Sequence, residues 1–551
     1  MTQSSPFTQA RPELTRRRFL GAVGIGASAL AATPLLSGCA TGEVVPQQAP
    51  VVDDAVLPRF VPVEYATPDI PSVNGSIPGY TSWPTEVVRA VPTPPGDGRT
   101  IKAMTPLWGT IPSADGNQYY EAVNELIGSK VEFQITDGNV YGDKLATVLA
   151  SPRDVPDWVS VPGWNFPPRF GSEIVGNVFA DLTPFLSGDK VTKYPHLANI
   201  PTDSWKMCVF NGKLYGLPYP DSIVRDAIFY RDDLMDELGI TVSISSAEDL
   251  LELAQEVTDP SANRWGAEDM WNAAAQIFGV PPKWAMVDGT LVNRVETEEY
   301  RAALDWTTRV FASGAVHPDA VAGQTGEAKQ RFQAGRSLIM PDGVGGWHEA
   351  LRDNLANNPT YSQTPFPPFP ADGGEIVYWK SPGAGMFSFI KKTDDTAMIE
   401  QILAAADVLA APFGTLEYQT VNYGVEGVHW ERGSKGTPEL TDLAAKELQP
   451  TYIFLADPPV VESKVQYPGY VEAMTGWMAE VSEHLQEPPF YGMQITPPAQ
   501  YASIDQPFTD LEADIPRGRK TLADLDEAIE TWRSSGGEEL RAFHQDLLDQ
   551  Q

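Results

Sequence analysis

Tyr219, Asp221, Arg225 and Asp226 stand close together in the stretch PYPDSIVRDA. Carboxylates accept paired hydrogen bonds, a guanidinium donates them in a fork, and a phenol can do either while offering a flat apolar face. The chain adds 14 Trp and 19 Tyr. Trp108, Trp164, Trp347 and Trp379 lie in expected loops near the ends of expected strands. Directed hydrogen bonding beside stacking surfaces is the chemistry of holding a ligand. Motifs for breaking bonds are missing. There is no GxSxG, no HExxH and no Walker loop, and His348-Glu349 lacks a second histidine four residues on. A glycosidase needs two carboxylates about 5–10 Å apart. The 73 Asp+Glu do not exclude such a pair, but no pattern points to one. No enzymatic activity is expected.

The residues of the polar stretch are positioned by what flanks them. Asn211-Gly212-Lys213 reads as a tight turn, because Asn-Gly tolerates positive φ. Leu214–Pro218 reads as a short strand that the proline ends. Ala227–Tyr230 reads as a second short strand, and Asp232-Asp233 as N-cap residues of a helix ending near Gly239. Between the two strands the polar residues form a crossing. They either face a ligand or lock the crossing, with Arg225 and an aspartate as a salt bridge.

Thr15-Arg16-Arg17-Arg18-Phe19-Leu20 precedes a Gly/Ala-rich apolar run closed by Leu36-Ser37-Gly38-Cys39. A charged region, a short apolar region and small residues make an export signal over 1–38. Its paired arginines resemble a twin-arginine signal, and its end resembles a lipobox in which Cys39 is lipidated. No later run of about 18 apolar residues is long enough to span a bilayer. Removing 1–38 takes away Arg11, Arg16, Arg17, Arg18 and Glu13, leaving 35 Lys+Arg against 72 Asp+Glu, a net charge of −37. So acidic a chain is repelled by phosphate backbones, which argues against nucleic-acid binding. Only Cys208 remains besides Cys39, so no intramolecular disulfide or cysteine metal site is expected. Residues 39–97 hold eleven prolines and few periodic apolar residues, which reads as an extended tether, although 82–91 could pack on the body.

From Thr100 onward, expected strands at Thr100–Met104, Lys130–Ile135 and Asp157–Val161 alternate with helices near 117–127 and 141–150. That alternation argues for an α/β class and a mainly parallel sheet. Ligands of such sheets bind beyond the carboxyl ends of the strands, where Trp108 and Trp164 lie. Helices follow at 245–258, 298–313, 328–334 and 396–410, with strands at 337–341 and 386–390. Asp342–Trp347 reads as a glycine-rich loop.

FNGKLYGLPYP followed by AIFYRDDLMDELGI resembles the extracellular solute-binding proteins of ABC importers, in their carbohydrate-binding group. RFQAGRSLIM with GGW, FADLTPFLSGDKVTKYPHL, EYRAALDWTTRVFASGAVHPD, NYGVEGVHW and DLDEAIETWRSSGGEELRAF resemble the same family's large lipoprotein branch, over about 98–548. The resemblance implies a two-lobed periplasmic-binding-protein-like fold with a hinge and a central cleft. Lobe one would be 98–224 with 341–411, and lobe two 225–340 with 412–551. Trp265 and Trp271 stand where related binders place aromatics. Glu426 is a ligand candidate or a helix cap. Some members hold calcium where this chain has Asp259-Pro260-Ser261-Ala262-Asn263-Arg264. Ser261 and Arg264 depart from that pattern, so no metal is expected, although Asp259, Asn263, Glu268 and Asp269 could still contribute oxygens. The resemblance implies no cofactor. It implies a monomer tethered through Cys39 to the outer face of the bacterial cytoplasmic membrane, which binds a sugar or oligosaccharide and meets ABC permease subunits. A surface adhesion lipoprotein and a binder of a non-sugar solute such as a peptide are the alternatives.

Overall fold

The computed structural model describes residues 54–167, 170–433 and 436–550. The export signal and Cys39 lie outside the described residues. Strand β1 (Thr100–Leu107) pairs in parallel with β2 (Lys130–Asp137) along its whole length. Helix α1 (Gln118–Ile127) joins them. It starts where the Asn117 side chain accepts from the Tyr120 N–H, and it stops at Gly128 in the left-handed region. Helix α2 (Tyr141–Leu149) leads to β3 (Trp158–Pro162), which is buried throughout and joins the other side of β1 in parallel. A hairpin closes through Asn211 and Gly212, both at positive φ, and leads into β4 (Gly216–Pro220).

The chain then crosses to a second sheet. This sheet contains β5 (Asp226–Tyr230), β6 (Trp265–Ala267), β7 (Ser337–Gly343) and β8 (Thr364–Pro365), in the order β8-β5-β7-β6. It returns through β9 (Tyr378–Trp379) to β10 (Ala384–Ile390), which completes a first sheet of order β2-β1-β3-β10-β4. β11 (Leu485–Gln486) pairs with β9. Both sheets are mixed, not mainly parallel. The chain leaves the first sheet at the carboxyl end of β4 and re-enters at that same end, so β10 must run antiparallel to β3 and β4. β7 likewise runs antiparallel to β5.

Each sheet has its own core, which makes two lobes. Ile101, Met104, Trp158 and Phe387 are buried in one, and Ile228, Leu250, Trp306 and Ile339 in the other. Val421, Tyr452 and Leu455 pack into the first core, although 412–551 is expected in lobe two. β8 belongs to the second sheet, although 341–411 is expected in lobe one. Apolar periodicity marks a buried face but not the core it faces.

Residues 54–97 correct the expected tether. Leu57, Ile77, Tyr80 and Trp83 are buried. The Val61 N–H donates to the Ala198 carbonyl at 2.7 Å, and the Tyr80 N–H to the Glu462 carbonyl at 2.8 Å. The Ala90 and Val91 N–H groups share the buried Glu417 carboxylate at 3.1 and 3.0 Å. Proline needs no donor partner, so a proline-rich strap can lie on a surface without joining a sheet. Two local readings also change. Arg231, not Asp232 or Asp233, is the N-cap of the helix Asp232–Leu238. Asp342–Trp347 is not a loop: β7 runs to Gly343, and helix α3 (Gly345–Asn354) starts two residues later. No helix among the described residues is long and apolar enough to cross a membrane.

Candidate functional site

Three segments meet where the lobes join. The Asp221 N–H donates to the Gly383 carbonyl at 3.0 Å, and the Ser381 N–H to the Ile223 carbonyl at 2.9 Å. Residues 221–225 and 381–383 therefore run side by side. The Val344 N–H donates to the Arg225 carbonyl at 2.8 Å, which ties in the end of β7. Beside this junction lies a cleft of about 660 Å³. Its walls are the junction itself, the second lobe's helix Trp271–Ile277, and β9 with the residues that follow it.

Four of the expected residues line this cleft: Arg225, Asp226, Trp271 and Trp379. Arg225 forms an ion pair with Asp221, four residues back, and not with its neighbour Asp226. Its guanidinium fills a slot over β10, since a Cβ on Gly385 would collide with it. The Asp226 side chain has no hydrogen bond or ion pair among the described residues. Desolvation by the cleft walls pushes its carboxyl up. Arg225 opposes that shift, and Asp342 and Asp221 add to it. Trp271 stands edge-on to Tyr300 at 5.4 Å. Arg294 lies over both rings and donates to Glu512 at 3.2 Å, while the Tyr300 hydroxyl reaches the same carboxylate at 3.0 Å. Burial raises the Glu512 carboxyl despite these partners. The Trp379 indole N–H donates to the Gly279 carbonyl at 2.8 Å, which fixes its ring at the wall. Lys380 Nζ lies between Glu487 at 2.8 Å and Asp203 at 3.1 Å.

Three more of the expected residues form a separate aromatic group on the first lobe. Trp108 follows β1 and Trp164 follows β3, so both stand past the carboxyl ends of parallel strands. Their rings are 6.1 Å apart, with 45% and 64% of each residue exposed. Phe454 is edge-on to Trp108 at 6.0 Å, and Tyr219 lies 6.3 Å from Phe454. Gly138, just past β2, leaves room for the Trp108 ring, which a Cβ there would strike.

The remaining candidates are elsewhere. Trp347 is 5% exposed and packs against Phe229 and Tyr470. Trp265 stacks edge-on against His317 at 4.6 Å. The Asp259 side chain caps its own turn by accepting from the Ser261 and Ala262 N–H groups at 3.0 and 3.3 Å. Asn263 sits in the left-handed region. Glu268 is buried in a fork with Arg331 at 2.9 and 2.6 Å and also accepts from Ser337 at 2.8 Å. Asp269 pairs with Arg517 at 2.7 Å. Glu426 is exposed beside Arg432. The sequence reading missed Lys380, Arg294, Gln276 and Glu512. Lys380 could have been taken with Trp379; nothing local marks Glu512, which arrives from the distant tail.

A family model described as bacterial extracellular solute-binding protein matches residues 81–412. The chain is 22% identical over 343 residues, 59% of its length, to the polygalacturonan/rhamnogalacturonan-binding protein YtcQ of Bacillus subtilis (strain 168). That match spans 66% of the relative, just under two thirds of its length. Among solved structures, the N-glycan transport solute binding protein NgtS of Streptococcus pneumoniae has a TM-score of 0.60 at 17% identity, covering 82% of this chain and 98% of that one. The alginate-binding protein AlgQ2, solved without calcium ion, has a TM-score of 0.59 at 15% identity, covering 84% and 100%. At such identities these two share the fold.

Proposed function

The chain belongs to the bacterial extracellular solute-binding proteins, and on that footing we propose that it captures a sugar or oligosaccharide between its lobes without transforming it. A sugar presents paired hydroxyls and one apolar C–H face. The first suit Asp226 and the Arg225 fork; the second suits Trp271 and Trp379. The observation that carries the reading is the cleft at the junction, where these four side chains line one space of about 660 Å³. Closure about the junction would bring the exposed Trp108 and Trp164 over the ligand as a second stacking surface. The sugar-binding names of the relatives support the ligand class.

Lipidation at Cys39 would hold the receptor on the outer face of the cytoplasmic membrane, where as a monomer it meets the ABC permease subunits. Replacing Cys39 by Ala should release the protein from membranes, and continued tethering would refute the anchor. The ligand is tested by a thermal-shift screen of mono- and oligosaccharides. A ligand at a hundred times its Kd adds about 2.7 kcal/mol of stability. If no saccharide moves the transition while a peptide does, the reading is wrong. Analysis of the same mixtures for cleaved sugar tests the absence of catalysis.

A further inference from the structure

Each cation that lines the cleft has a carboxylate partner. Arg225 holds Asp221, Arg294 holds Glu512 at 3.2 Å, and Lys380 is shared between Glu487 and Asp203. The acids of the lining are less well neutralised. Asp342 has Lys329 at 3.4 Å, but that lysine also serves Glu349 at 3.1 Å. Asp226 has no hydrogen bond or ion pair from any described side chain, and it faces the same space. Among the lining groups and these partners, carboxylates outnumber cations.

We propose that the cleft selects saccharides that carry no carboxylate, neutral or amino-bearing, and rejects polyuronates. This rests on the cleft being the ligand site. A sugar hydroxyl or amine donates to Asp226 and meets an acceptor without a partner. A uronate would have to share a cation that already holds a carboxylate, and would add a further negative charge in the field of Asp226. The raised carboxyl of Asp226, pushed up by desolvation and further by Asp342 and Asp221, agrees with a locally negative site. The preference would separate this chain from a relative named for binding polygalacturonan.

The test is calorimetric titration of the full chain with malto-, cello-, galacto- and manno-oligosaccharides, chitosan oligomers, and oligogalacturonides of matched length. The best neutral or amino-bearing ligand should bind at least about 30-fold more tightly than any oligogalacturonide. D226N should narrow that gap about tenfold, and D342N should act in the same direction. Added salt should improve oligogalacturonide binding by screening the repulsion. Oligogalacturonides binding as tightly as the best neutral sugar, or weakened by D226N, would overturn the selectivity and leave saccharide binding standing. If none of these sugars binds, both readings fall.

Discussion

Trp164 and Trp347 look alike in sequence. Each follows a strand and a glycine, in Pro-Gly-Trp and Gly-Gly-Trp. Trp164 is 64% exposed and Trp347 is 5% exposed. The difference lies in the element that begins at the glycine. Trp164 sits in a single 3-10 turn past β3, which leaves the ring standing off the strand ends. Trp347 is the third residue of α3, and the helix turns it inward onto Phe229 and Tyr470. Two arginine pairs make the same contrast. Arg331 and Glu268 are buried and doubly bonded, whereas Arg225 and Asp221 are about a third exposed and joined through one guanidinium nitrogen. Sealed members of each kind hold the fold, and open members are free to meet a ligand.

The largest test of that contrast is Trp347→Ala, which should cost about 4 kcal/mol in urea denaturation because it empties a packed site. Unchanged stability with lost binding would place Trp347 at the ligand and break the comparison. Arg331→Met should cost about 3 kcal/mol by leaving Glu268 buried without its cation. Arg225→Met should change stability by less than about 1 kcal/mol, since its pair is partly solvated. Next comes Trp164→Ala, expected to leave the melting temperature in place and weaken saccharide binding about tenfold, near 1.4 kcal/mol, in a titration. If Trp164→Ala unfolds the protein, exposure is a poor guide here.

The last test concerns His348, beside Trp347 on α3. Desolvation, with Lys464, Arg352 and Lys329 nearby, depresses its pKa to about 2. The neutral ring is kept in the fold, while the unfolded chain protonates near the ordinary value of 6.5. Its contribution is therefore present above pH 6.5 and lost as pH falls toward 2. His348→Asn should flatten the loss of stability with acid in that window by up to about 1.4 kcal/mol per pH unit. Parallel wild-type and variant curves would show that the histidine is not held neutral.

Much of the frame was legible. Asn211-Gly212 makes the expected turn, and the strand ends carry Trp108 and Trp164 to one place. These are local signals, and local sterics decide them. The unread parts depend on the return path of the chain. The direction of β10 follows from where the chain comes back. Gly345-Gly346 reads as a loop because glycine is a poor helix former, yet packing against β7 and Tyr470 starts a helix there. The Asp226 environment includes Asp342, from a neighbouring strand far along the chain, and Glu512 enters the cleft from the tail.

The strap bears on how far the receptor can travel. Leu57 is locked into the first core, so only about 18 residues separate it from Cys39. Fully extended, they reach at most roughly 65 Å. With the lipid proposed at Cys39, Leu57 could lie no farther than that from the membrane surface. On that proposal, any membrane partner would have to reach the first lobe within that distance of the anchor, a limit set by chain length alone.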